Sequence, residues 1–197
     1  MTMLSDPEIY LVIQGMLGAK RARQRCVKEY VYPIAAGQRI LDVGCGPGYV
    51  IEYFPQSYYI GFDTNRKYIE YANRKYSQKG CFFCQELNDT TIKDLKPFDL
   101  IMMNGLVHHL NDIQAIELFQ RAKRILKPGG KVVTLDGCYV KGQSGIAKKL
   151  LDCDRGKYVR EEKAYVALVS RAFNSITTYI RHDLMFIPYT LIIMQIS

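Results

Sequence analysis

No stretch of the 197-residue chain strings together the roughly 18 to 20 apolar residues that a membrane-spanning helix needs. The N-terminus lacks the charged start, apolar block and small-residue cleavage site of a secretory signal. Both absences lead us to expect a soluble, cytoplasmic protein. Internal repeats, low-complexity blocks and Pro/Ser-rich linkers are missing too, so nothing marks a domain boundary. A chain of this length suits one hydrophobic core better than two, and a single domain over residues 1–197 is expected. Beside Cys81-Phe82-Phe83-Cys84 there is no second Cys pair or His cluster to complete a zinc site. The six cysteines, at 26, 45, 81, 84, 138 and 153, therefore read as reduced, buried small hydrophobes, and no metal is expected. Acidic residues are the scarcer charge, 19 against 27 Lys and Arg, for a formal net charge of +8. The surplus suggests an anionic partner, but aromatic residues do not interleave with it as a nucleic-acid surface requires. Its densest runs, "AKRARQRCVK" and "KKLLDCDRGKYVR", read mostly as solvated helix faces.

What the chain does have is alternation. Six short, apolar, turn-bounded stretches, at 39–44, 58–63, 80–85, 98–104, 131–136 and 190–196, read as buried strands. Helical patterns lie between them at 65–76, 111–126 and 160–173. In the second helix Ile113, Ile116, Phe119, Ala122 and Ile125 fall on one face, Asn111 and Asp112 offer a polar cap, and "PGG" at 128–130 ends it. Alternating strands and helices imply a doubly wound parallel sheet with ligands at the carboxyl ends of its strands. Residues 8–31 form an amphipathic, helical segment, weakened at Gly15 and Gly18, that is placed to act as a lid over that edge.

The stretch "ILDVGCGPGYVIEYF", 40–54, runs from a strand through Gly44, Gly46 and Gly48 into an apolar, helix-like segment. Bare backbone lets the chain turn sharply and lets a ligand touch the main chain. A dinucleotide turn needs G-x-G-x-x-G, and that third glycine would fall on Tyr49. The G-x-G-x-G spacing, with Asp42 two residues upstream, suits S-adenosylmethionine better, because an amino-acid end can be gripped by turn backbone. "YYIGFD" then ends in Asp63, 19 residues after Gly44, where a carboxylate can accept from both ribose hydroxyls.

"ILDVGCGPG", "GFD", "FDLIMMNGLVHHL" and "RAKRILKPGGKVV", in this order and spacing, resemble the successive motifs of class I S-adenosylmethionine-dependent methyltransferases. The resemblance is strong over about 20–136 and looser beyond. It implies a Rossmann-like, three-layer αβα fold around a seven-stranded, mostly parallel sheet. "SITTYIRHDL" and "PYTLIIMQI" would be its sixth and seventh strands, the seventh inserted antiparallel. It also implies that Gly44, Cys45, Gly46 and Gly48 approach the methionine end of the cofactor, that Asp42 organises the turn or faces the amino group, and that Asp63 with Thr64 holds the ribose. Glu86 and Leu87 would face the adenine, Glu standing where the family more often has Asp, with Asn88 and Asp89 leaving the register open. Asn104 and Gly105 would lie nearest the sulfonium.

The Asn-Pro-Pro-aromatic sequence and the Pro-Cys nucleophile of known base-methylating enzymes are absent, which favours a small-molecule acceptor, possibly anionic. An RNA-modifying enzyme and a non-catalytic cofactor-binding protein are the competing readings. His109 is the candidate catalytic residue, as the base for a hydroxyl proton, on its similarity to phosphoethanolamine methyltransferases over this motif. Gly105 stands where those enzymes carry an accompanying carboxylate, and a packed loop histidine is the alternative. Residues 137–160 are longer than a plain connection and read as a substrate-side insertion. There Arg155, Lys157 and Arg160 could clamp an anion beside Tyr158, or simply be solvated. Tyr10 and Tyr189 are further pocket candidates, and the oligomeric state is left open.

Overall fold

The computed structural model describes residues 6–154 and 156–197. Strands β1 (Arg39–Val43), β2 (Tyr58–Asp63), β3 (Gly80–Cys84), β4 (Phe98–Asn104) and β5 (Leu126–Tyr139) are mutually parallel. A two-residue strand β6 (Arg160–Glu161) pairs with the end of β5, and β7 (Ile176–Arg181) and β8 (Leu191–Ile196) complete the sheet. The order is β3-β2-β1-β4-β5-β8-β7, with β8 antiparallel to both neighbours, as the expected inserted last strand. Strand β6 is the one addition to the seven.

Alternation along the strands divides the core into two layers. Ile40, Leu100, Met102, Val133 and Ile193 face α2 (Ala19–Cys26), α3 (Arg66–Tyr76) and α5 (Gly145–Asp152). Leu41, Ile101, Met103, Val132 and Ile192 face α4 (Asp112–Ile125) and α6 (Glu162–Val169). Each of these side chains is withdrawn from water, a gain of about 1.5 to 3 kcal/mol apiece. The chain order reverses between β1 and β4, and the crevice that ligands use in such sheets opens there.

Several elements depart from the sequence expectations. The N-terminal helix is two helices, α1 (Pro7–Leu17) and α2, broken at Gly18, which is left-handed at φ +89. A Cβ there would sit 2.4 Å from the Phe186 nitrogen, so the close approach of the β7–β8 connection forces the break. The apolar segment after the glycine turn is a single 3-10 stretch, Tyr49–Tyr53, not a helix of ordinary length. In α4 the buried face is Ala115, Leu118, Phe119, Ala122 and Ile125, whereas Ile113 is 70% exposed. The Asn111–Gln114 capping box sets the helix start, and the small alanines bring its backbone close to the sheet. Of the cysteines expected to be buried, Cys153 is exposed at the end of α5, and Cys81 and Cys84 are exposed because β3 is an edge strand that turns only Phe82 inward.

Candidate active site

At the carboxyl ends of β1, β2 and β4 lies a cavity of about 690 Å³. Asp42, Gly44, Cys45, Gly46, Asp63, Thr64, Glu86, Leu87, Asn104, Gly105 and His109 all line it, so eleven of the twelve site residues named from sequence meet in one place. Gly48 does not line the cavity. Its Cβ would lie 2.7 Å from Phe82 and 2.9 Å from Ala72, and its φ is +79, so this glycine serves packing under α3. Gly46, by contrast, has nothing within 4 Å of where a Cβ would be, which leaves its main chain open to a ligand.

Asp63 pins the turn from the next strand. One carboxylate oxygen accepts from Gly46 N–H at 2.9 Å and the other from Asn65 N–H at 2.8 Å. Each oxygen retains acceptor capacity for a ribose hydroxyl. Burial raises the Asp63 pKa, against the hydrogen bonds that lower it. After β3, Glu86, Leu87 and Asn88 all line the cavity, whereas Asp89 does not. The Asn88 side chain is spent on Thr90 and Thr91 N–H, and Asp89 pairs with Arg121 and Arg124.

Asp42 is 1% exposed and receives the Tyr59 hydroxyl on one oxygen, while its other oxygen has no partner among the described residues. Burial pushes its pKa up to about 7, against the pull of the Tyr59 bond. Asn104, 6% exposed, likewise has neither its amide nitrogen nor its oxygen paired among the described residues. Buried polar atoms without partners are uncommon, and two such side chains in one cavity mark where a polar ligand belongs.

Arg23 was missed from sequence. It lies in the basic run taken for a solvated face, but Ala19, Ala22 and Cys26 bury the inner side of α2 and carry it into the cavity. Its guanidinium donates to Tyr49 Oη at 2.6 Å, Gln14 Oε1 at 3.2 Å and Tyr10 Oη at 3.3 Å, all neutral partners. A Cβ on Gly105 would meet the same guanidinium at 3.8 Å, an ordinary contact, so it is the φ of +68 that calls for glycine there. Tyr10 lines the cavity and packs on Tyr68 of α3 with ring centroids 5.1 Å apart, which brings α1 to the cavity.

The His108–His109 pair divides in two. His109 is exposed and borders the cavity, and its ring lies 4.4 Å from that of His108. His108 is buried, with Nδ1 2.8 Å from Asp136 Oδ1 and Nε2 3.5 Å from Asp154 Oδ1. The two carboxylates raise its pKa to about 9, over the lowering effect of burial. Asp154 in turn accepts from Gly156 N–H and from Tyr189 Oη, both at 2.8 Å, and these bonds with His108 hold its pKa well below the usual carboxylate range. Tyr189 thus acts away from the main cavity. Arg160 is no anion clamp: it binds Asp112 and the carbonyls of Val107, Tyr158 and Leu110, fastening the turn that carries the histidines. Lys157 and Tyr158 are exposed and do not line this cavity, and Arg155 lies outside the described residues.

The family model described as "Methyltransferase domain" matches residues 40–130, which hold the glycine turn, Asp63 and the histidine pair. Residues 40–130 thus form a methyltransferase domain, on the Rossmann-like sheet that class I S-adenosylmethionine-dependent methyltransferases share. It is 30% identical over 164 residues to phosphoethanolamine N-methyltransferase 1 of Triticum aestivum, covering 79% of this chain and 32% of that one. It is 32% identical over 103 residues to a ubiquinone biosynthesis O-methyltransferase of Bradyrhizobium, covering 50% and 39%. The chain therefore spans about a third of the length of these curated relatives. The fold matches a TehB-like methyltransferase of Corynebacterium glutamicum with a TM-score of 0.69 at 18% identity, covering 97% of each chain.

Proposed function

We propose that the protein transfers the methyl group of S-adenosylmethionine to an oxygen or nitrogen atom of a small, anionic metabolite. One observation carries the reading, the pattern of unsatisfied charge and polarity in the β1–β4 crevice. Arg23 brings a cation among neutral partners, and Asp42 and Asn104 bring buried atoms without partners among the described residues. An amino-acid zwitterion answers both needs, its carboxylate at Arg23 and its ammonium at Asp42 and Asn104. Asp63 would hold the ribose, with Thr64 beside it, and Glu86 and Leu87 the adenine. A nicotinamide dinucleotide offers no such zwitterion. When bound, S-adenosylmethionine supplies a methyl group already activated on a cationic sulfur.

What the chain must then contribute is alignment and the exclusion of water. Gly105, at φ +68, keeps the end of β4 free of a side chain. Tyr10 and α1 cover the space from above, and His109 borders it on the acceptor side. The surplus of positive charge and the phosphate-bearing acceptor named for the wheat relative favour an anionic acceptor. No described residue of 137–160 lines the cavity, and the segment approaches it only behind His108, through Asp154 and Gly156. The six unpaired cysteines fit a reducing cytoplasm, and no helix among the described residues is long and apolar enough to cross a membrane.

Incubating the protein and methyl-labelled S-adenosylmethionine with a metabolite extract tests the reading. Label should pass to a small, acidic product. Calorimetric binding of the cofactor with no labelled product would reduce the protein to a binding module.

A further inference from the structure

His108, His109 and Asp154 bring three ligand atoms within 4.8 Å of one another beside the cofactor cavity. The first two are adjacent in sequence, and Asp154 arrives from the segment after α5. Three features go beyond a chance cluster. Asp136 holds His108 Nδ1 at 2.8 Å, the carboxylate backing that fixes a metal-ligating imidazole with Nε2 as its donor. Asp154 is oriented in the same way by Tyr189 Oη and Gly156 N–H, both at 2.8 Å. The His108 Nε2 to Asp154 Oδ1 separation is 3.5 Å, longer than a good charged hydrogen bond. It is close to the roughly 3.4 Å between two donors sharing one tetrahedral ion at about 2.1 Å each.

The charge count points the same way. Two carboxylates, Asp136 and Asp154, converge on one imidazole, and the second Asp136 oxygen, on a fully buried side chain, has no partner among the described residues. Gly156 presses so close that a Cβ would lie 1.9 Å from the His108 ring, so the ring is held in one place. Two imidazoles and one carboxylate suit a first-row divalent ion and leave coordination positions open.

We propose that His108 Nε2, His109 and Asp154 Oδ1 form a divalent-cation site on the acceptor side of the cavity. Its open positions would take an oxygen of the methyl acceptor, such as a hydroxylate, carboxylate or phosphate. The acceptor role rests on the methyl-transfer reading, whereas cation binding does not. His109 then meets the acceptor through the ion, and Asp136 and Tyr189 are positioning residues behind the ligands.

Titration of the EDTA-treated, dialysed full chain with Co(II), followed by visible absorption, tests the site. One ion per chain is expected, in a low-coordinate environment. His109→Gln and Asp154→Asn should weaken binding at least tenfold, and Asp136→Asn by about 10- to 100-fold. His182→Ala, at the remaining histidine, should change nothing. Because His109 is exposed, its variant should fold, and calorimetry with S-adenosylhomocysteine confirms the fold of each variant. Absence of Co(II) binding, or binding indifferent to His109→Gln, overturns the cation site while leaving the methyltransferase reading intact. Failure of the unmodified chain to bind S-adenosylhomocysteine would instead overturn that reading and leave the cation result standing.

Discussion

Replacing Arg23 with Gln keeps a planar hydrogen-bonding head and removes the charge. In the account above the guanidinium meets the carboxylate of the cofactor while Tyr49, Gln14 and Tyr10 orient it. A hydrogen bond to a charged group is worth about 1.5 to 3 kcal/mol, so the substitution should weaken S-adenosylhomocysteine binding about 10- to 100-fold. Isothermal titration calorimetry reads this directly. 5′-Methylthioadenosine supplies the control, since it keeps the adenosine and lacks the amino-acid end, and its affinity should be the same in both proteins. Arg23→Lys should recover part of the loss, because the charge returns without the fork. Equal affinity of both proteins for S-adenosylhomocysteine would refute the carboxylate role. An equal loss for both ligands would show that Arg23 acts by ordering the lid.

Four further outcomes follow from named contacts. Asp63→Ala should cost about 1 to 3 kcal/mol of binding for both S-adenosylhomocysteine and 5′-methylthioadenosine, since both carry the ribose; calorimetry showing no loss would remove Asp63 from the site. Asp42 has a pKa raised to about 7 in the free protein, and a cofactor ammonium favours its ionised form. Affinity should therefore fall as pH drops below about 7 and level off above it, with proton release visible as a buffer-dependent binding enthalpy, and Asp42→Asn should abolish that dependence. Gly48→Ala should destabilise the fold by about 1 to 3 kcal/mol in a chemical denaturation series, because the new methyl meets Phe82 at 2.7 Å and Ala72 at 2.9 Å. Gly46→Ala, with nothing within 4 Å, should strain only the backbone and weaken cofactor binding instead.

The parts of the fold legible in the sequence were those governed by local periodicity. Strands buried on both faces read as apolar runs, and the glycine turn, Asp63 and the end of β4 sit at fixed offsets from them, so most residues that line the crevice were legible as well. Tertiary choices were not. Whether α4 buries Ile113 or Leu118 depends on how close two alanines let it approach the sheet. Arg23 looked like one more charge in a basic run, because its burial depends on where α2 lies across the cavity. The break at Gly18 arises from Phe186, far along the chain. Asp154 follows the histidine pair by 45 positions, with no spacing rule to join them, and only the return of the segment after α5 brings them together.

A crystal structure of the full chain with S-adenosylhomocysteine tests the central claim most directly. The account predicts the ribose hydroxyls on Asp63, the carboxylate on Arg23, and the sulfur over Asn104 and Gly105 facing His109. A ligand bound elsewhere, or bound in the crevice with its amino-acid end away from Arg23 and Asp42, would contradict it.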